Sequence, residues 1–139
     1  MIGVIVVTHS RLGEELVDAA KKIVGEEMRL HAVSIDWNDD VDKARKRIQD
    51  GMKKVDNGDG VLILTDMFGG TPSNISLSFL EKGKVEIVTG VNLPMLIKYS
   101  TLKDVRDLED LAVRLKEQGM KSIHVATEIL KNRDAQSQE

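Results

Sequence analysis

The chain has 139 residues, 41% of them hydrophobic, which suits one domain able to bury a core of its own. Charged residues make up 31% and nearly cancel to a net charge of -3, so no overall field concentrates the protein on DNA or RNA, and no nucleic-acid partner is expected. The absence of cysteine removes disulfide frameworks, thiolate nucleophiles and cysteine-held zinc or iron–sulfur centres, leaving three histidines as the reactive candidates.

Residues 2–7 are mostly β-branched and read as a strand buried on both faces. The same opening is too short for a membrane span and lacks a signal peptide's basic start and small-residue cleavage site, so a cytoplasmic location is expected. Over 13–24, Leu16, Val17, Ala20, Ile23 and Val24 recur at helical spacing, and Gly25 is a natural stop. Residues 30–35 form a second predicted strand. Asp39 and Asp40 then open a charged helix reaching Val55, and Asn57-Gly58-Asp59-Gly60 is a turn.

A third predicted strand, 61–65, runs into the small-residue loop 66–74 and a helix over 75–80. A fourth strand over 85–89 is followed by Asn92-Leu93-Pro94, where the proline suits the first turn of a helix. Asp107 caps another helix carrying Leu108, Leu111, Ala112 and Leu115 and ending near Gly119. A short strand over 122–125 follows, then a polar, frayed tail. Strands and helices alternate without a linker or an internal repeat, so the expected fold class is a single α/β domain around a mainly parallel open sheet flanked by helices. In such sheets chemistry sits beyond the carboxyl ends of strands, which directs attention to the loops at 8–12, 65–74 and 90–94.

His9 directly follows the first strand, at the rim of the sheet. Imidazole is a nucleophile near neutral pH and also a good leaving group, so a phosphohistidine suits a protein that accepts and then donates a phosphoryl group. Position alone equally allows a histidine that merely ends a strand. Asp66 ends the third strand in the same way. A carboxylate accepting the proton of one imidazole nitrogen fixes the tautomer and leaves the other nitrogen to attack, although a helix cap or a turn would also use an aspartate here.

Between Asp66 and the next helix, Phe68, Gly69, Gly70, Thr71 and Ser73 offer close backbone approach and hydroxyls, a composition that suits phosphate; a simple connector would also use a Gly-Gly turn. Thr8, Ser10, Asn74, Asn92 and Pro94 lie on the same group of loops, and Trp37 follows the second strand, where an aromatic side chain can line a site. Neither a P-loop nor a Gly-x-Gly-x-x-Gly fingerprint is present, and no histidines and carboxylates cluster at ligand spacing, so no metal and no cofactor are expected. His31 and His124 sit in predicted strands without an acidic or glycine-rich neighbourhood. The basic run from Lys43 to Arg47 follows Asp39, Asp40 and Asp42 and reads as a self-paired solvated face.

Three segments taken together, Val-Val-Thr-His-Ser at 6–10, Thr-Asp-Met-Phe-Gly-Gly-Thr-Pro-Ser-Asn at 65–74 and Gly-Val-Asn-Leu-Pro-Met at 90–95, resemble the mannose-family IIA components of the sugar phosphotransferase system. The resemblance covers residues 1 to about 125, and it implies a domain over 1–127 with a polar tail over 128–139. It implies that His9 takes phosphate from the phosphocarrier HPr and passes it to a IIB component. It also implies that Asp66 is the aspartate bonded to the active histidine, and that Thr71 is the hydroxyl residue beside the phosphoryl group. A IIB partner is expected to be a separate chain, and a membrane is reached only through a permease complex. The family also implies a homodimer in which an antiparallel strand near the C-terminus, here 122–125, is exchanged. Two other readings stand beside this one: a regulatory binding module switched by phosphorylation of His9, and the phosphoryl-donor subunit of a dihydroxyacetone kinase, whose glycine loop differs.

Overall fold

The computed structural model describes residues 1–25 and 27–137. Four strands, β1 (Gly3–His9), β2 (Leu30–Ile35), β3 (Val61–Thr65) and β4 (Val85–Thr89), lie in the order β2-β1-β3-β4. All three ladders are parallel. The connections are made by α1 (Leu12–Val24), α2 (Val41–Val55) and α3 (Thr71–Leu77), and the chain continues through α4 (Leu93–Tyr99), α5 (Leu108–Lys121) and α6 (Ala126–Ser137).

The strand alternation divides the core into two layers. Val4, Val6, Leu62 and Leu64 point to one face, where Val17 and Ala20 of α1, Leu96 and Tyr99 of α4 and Leu111 and Leu115 of α5 cover them. Ile5, Val7, Val61 and Ile63 point to the other, against Ala44 and Ile48 of α2 and Ile75 of α3. Tyr99 is fully buried, and its hydroxyl donates to the carbonyl of Ile2, so its one polar atom is satisfied inside the first layer.

Capping follows the local chemistry. Gly25 ends α1 in the left-handed conformation at φ 70, as only glycine does without a Cβ penalty. Side chains of Asp40, Asn92 and Asp107 accept from the backbone of Lys43, Met95 and Asp110 at the starts of α2, α4 and α5.

Three elements differ from the sequence reading. The helix expected over 75–80 begins at Thr71 and ends at Leu77, because Gly70 is extended and Pro72 occupies the first turn, where its missing N–H costs nothing. The strand expected over 122–125 does not form within the chain: α5 runs to Lys121, and Ile123 and Val125 are exposed without a ladder partner. A strand needs an edge to pair with, and the outer edge of β4, the nearest candidate, carries only the Glu81 bridge at Val85 and no further strand among the described residues. Residues expected as a polar tail are helical in α6 through Ser137, and 138 and 139 lie outside the described residues.

Candidate active site

The strand order places a reversal between β1 and β3: the chain leaves β1 toward β2 on one side and returns to build β3 and β4 on the other. At that point the carboxyl ends of neighbouring strands are not covered by one connection, and a crevice opens. Val7 is the Cα partner of Thr65, so His9 and Asp66, two and one residues further on, meet across the crevice.

The contact is specific. His9 Nδ1 lies 2.8 Å from Asp66 Oδ2, and the backbone N–H of His9 donates to the same oxygen at 2.9 Å. Asp66 Oδ1 accepts from the backbone N–H of Met67 at 2.9 Å. Both oxygens of the carboxylate are thus used, which locks its plane. A carboxylate only accepts, so Nδ1 carries the proton and Nε2 keeps its lone pair. The histidine side chain is 22% exposed and the aspartate 10%, so the pair is shielded while the ring still reaches solvent.

Gly70 explains its own identity. A Cβ built there would stand 2.6 Å from His9 Cε1 and 3.2 Å from Nε2, so any other residue would press on the edge of the ring that carries the free nitrogen. The loop 68–71 therefore lies beside the reactive edge. Phe68, Gly69 and Thr71 on it are exposed, and Gly69 has φ 86.

Directly after His9, Ser10 adopts φ 50, the one positive value for a non-glycine among the described residues, and its N–H donates to Ile35 at the end of β2. The left-handed backbone turns the chain sharply away from the ring. Thr8 points to the opposite layer, fully buried, and its Oγ1 accepts from Gly13 N–H at 2.8 Å, fixing the start of α1.

Trp37 stands against the imidazole with ring centroids 5.1 Å apart and an interplanar angle of 32°. Met67, 55% exposed, and Phe68, 73% exposed, add to an apolar rim on the same loops.

Other positions singled out in the sequence lie elsewhere. Ser73 is fully buried on the inner side of α3 with Ser76, a consequence of the helix starting at Thr71, so its hydroxyl does not reach the solvent side where a phosphoryl group would arrive. Asn74 is exposed on the outer side of the same helix. Asn92 is occupied structurally: its Oδ1 caps α4 and its Nδ2 donates to Gly119 of α5 at 3.1 Å. Pro94 lines a shallow hollow with Leu93, Ile97 and Thr101. Among the described residues no group of three histidines or carboxylates is placed to hold a metal ion, and no helix is long and apolar enough to cross a membrane.

Two contributors escaped the sequence reading. Met67 serves through its backbone N–H, which any non-proline residue supplies, so no side-chain signal marks it. The pair Asp39 and Arg47, 2.9 Å apart, belongs to the charged run expected to be self-paired and solvated, but the Asp39 side chain is buried at 3% exposure, and its part in fixing the turn that carries Trp37 had no sequence signal.

Residues 3–116 match the family model described as "PTS system fructose IIA component". The chain belongs to the mannose-type IIA family. This IIA chain is 33% identical over 131 residues to the fructose-specific EIIA component of Bacillus subtilis, an alignment covering 94% of this chain and 90% of that protein. It is 28% identical to the mannose-specific EIIAB component of Escherichia coli, of whose length it spans 39%. The mannose/sorbose-specific IIA subunit from Enterococcus faecalis superposes with a TM-score of 0.79 at 26% identity, covering 89% of this chain and 93% of that one. An EIIA component from Streptococcus agalactiae gives 0.80 at 22% identity, which speaks for the fold. The four-stranded parallel sheet described above is thus a IIA fold.

Proposed function

We propose that this IIA chain is a phosphocarrier that accepts a phosphoryl group on His9 Nε2 from phospho-HPr and passes it to a IIB component of a sugar phosphotransferase system. The observation that carries the reading is the doubly anchored Asp66 carboxylate at His9 Nδ1, which holds one tautomer with Nε2 free.

On this reading the Nε2 lone pair attacks phosphorus as the donor's N–P bond breaks, and the electron pair of that bond returns to the donor nitrogen. His9 becomes a phosphoimidazolium whose Nδ1 proton stays against Asp66, so no proton has to move. The backbone of Gly69 and Gly70 and the hydroxyl of Thr71, on the loop beside the reactive edge, are the groups proposed to receive the phosphoryl oxygens. The exposed rim of Trp37, Met67 and Phe68 suits protein partners that dock and leave, since apolar surface around a reactive group favours association. We also assign the protein to the cytoplasm, with the membrane reached through partners, and to a homodimer closed at the β4 edge.

Incubation with phosphoenolpyruvate, enzyme I and HPr, followed by intact-mass and acid-lability analysis, tests this. One acid-labile phosphate on the wild type and none on His9→Ala is expected. An unmodified wild type, or a modified His9→Ala, would overturn it.

A further inference from the structure

We infer that Trp37 is a positioning residue for the exchange at His9: its indole face, held beside the imidazole by a pinned turn, favours the cationic ring that exists when Nε2 carries the phosphoryl group. The inference rests on the phosphocarrier reading above.

Trp37 is the only tryptophan in the chain and is 81% exposed, so it adds little to the core. Its partner is the His9 ring, at 5.1 Å between centroids, inside the distance at which a cation over an indole face is attracted by the ring quadrupole.

The placement is enforced by the backbone. Residues 36–39 form a turn closed by Asp39 N–H donating to Asp36 carbonyl at 3.0 Å, and Asp39 Oδ2 in return accepts from Asp36 N–H at 3.0 Å. The Asp39 side chain is 3% exposed and is clamped by Arg47 at 2.9 Å, with Lys43 at 3.7 Å from its other oxygen. Arg47 also donates to the Ser34 carbonyl at 3.1 Å, tying the turn to the end of β2. Trp37 is thus presented from a fixed base, although its side chain is in solvent.

The charges around it sharpen the argument. Asp39 is answered by Arg47 and Lys43, and Asp36 faces the same Arg47 at 3.7 Å, so both carboxylates of the turn are met by cations on α2. The positive charge on the phosphorylated His9 ring is then met by Asp66 at Nδ1, by the anionic phosphoryl group on Nε2 and by the indole beside the ring. During transfer the donor's ring gives up the positive charge that His9 gains. A contact that stabilises only the charged acceptor therefore shifts the equilibrium, while an apolar contact equal in both states does not.

That distinction supplies the test. An equilibrium constant for phosphoryl exchange has free proteins on both sides, so any contribution of Trp37 to docking cancels and its contribution to the phosphorylated ring remains. Full-length wild type, Trp37→Leu and Trp37→Phe are equilibrated with HPr after phosphorylation by phosphoenolpyruvate and enzyme I, from both directions. The phosphate on each protein is read by intact mass. Trp37→Leu, apolar but without a π face, should lower the constant toward His9 by about two- to fivefold, and Trp37→Phe by less. In the wild type, emission from the single indole should change on phosphorylation. A Trp37→Leu constant equal to the wild type, or emission indifferent to phosphate on His9, overturns the inference and leaves the phosphocarrier reading standing. No phosphate on the wild type takes down both.

Discussion

The crevice between β1 and β3 and the outer edge of β4 belong to one sheet, yet the first is finished within the chain and the second is not. In the crevice, each oxygen of Asp66 is bonded, the backbone of His9 and Ser10 is tied to neighbouring strands, and Gly90 and Val91 both donate to the carbonyl of Thr65 at 2.9 Å. Along β4 every residue is only partly buried, and the apolar side chains of Met120 and Ile123 stand in solvent at 64% and 77% exposure beside a hollow lined by Ile87, Val88 and Lys116. Chemistry that depends on which imidazole nitrogen carries a proton needs geometry that a single chain can guarantee alone. An open strand edge is instead a surface that a second polypeptide can complete.

The contrast can be broken most severely at Asp66. Asp66→Ala should leave the nucleophile in place but free its tautomer, and the rate of phosphoryl transfer to His9 should fall roughly a hundredfold or more in a rapid-quench assay. Asp66→Asn, which can present N–H to Nδ1 and so drive the proton to Nε2, should be no better. A rate within a few-fold of the wild type in both would mean that the crevice is less finished than its hydrogen bonds imply.

At the other region, pairing of 122–125 with the β4 edge of a second copy predicts a dimer by sedimentation equilibrium. Ile123→Lys should weaken it by about tenfold, by placing a charge in an apolar contact. A monomeric wild type at the same concentration would show that the open edge needs another cover.

The smallest effect lies at the opposite edge strand. Burial, with Lys54 and Lys21 nearby, lowers the pKa of His31. The folded state therefore resists protonation that the unfolded chain accepts. Its contribution is fully present above the ordinary histidine value of about 6.5 and is lost as pH falls from there through the lower folded value. His31→Gln should flatten the acid side of a Tm-against-pH curve by roughly a degree or two and leave phosphorylation unchanged. An unaltered slope would remove His31 from the account.

Much of this was legible in the order of residues. Runs such as Val61-Leu62-Ile63-Leu64 declare strands buried on both faces, and Asp40, Pro94 and Asp107 announce helix starts that the backbone then uses, whereas the capping role of Asn92 was not legible. Asp66 could be paired with His9 because parallel neighbours bring their carboxyl ends together. The start of α3 differs from the expectation because Gly-Gly-Thr-Pro reads as a turn, although Pro72 is itself a first-turn signal. Ile123 and Val125 have strand-like alternation, but whether alternation becomes a strand depends on an edge that lies elsewhere. The contact of Trp37 with His9 depends on a turn locked by Asp39 and Arg47, a tertiary fact that residue spacing does not encode.

The register that sets Val7 against Thr65 has one further consequence. His9 and Asp66 are separated by 57 positions and meet only when the two central strands have zipped to their last residues. A chain whose middle is still open owns the histidine but not the carboxylate that governs its proton. On the proposed phosphocarrier reading, full-rate transfer at His9 thus requires the two central strands to be completely paired.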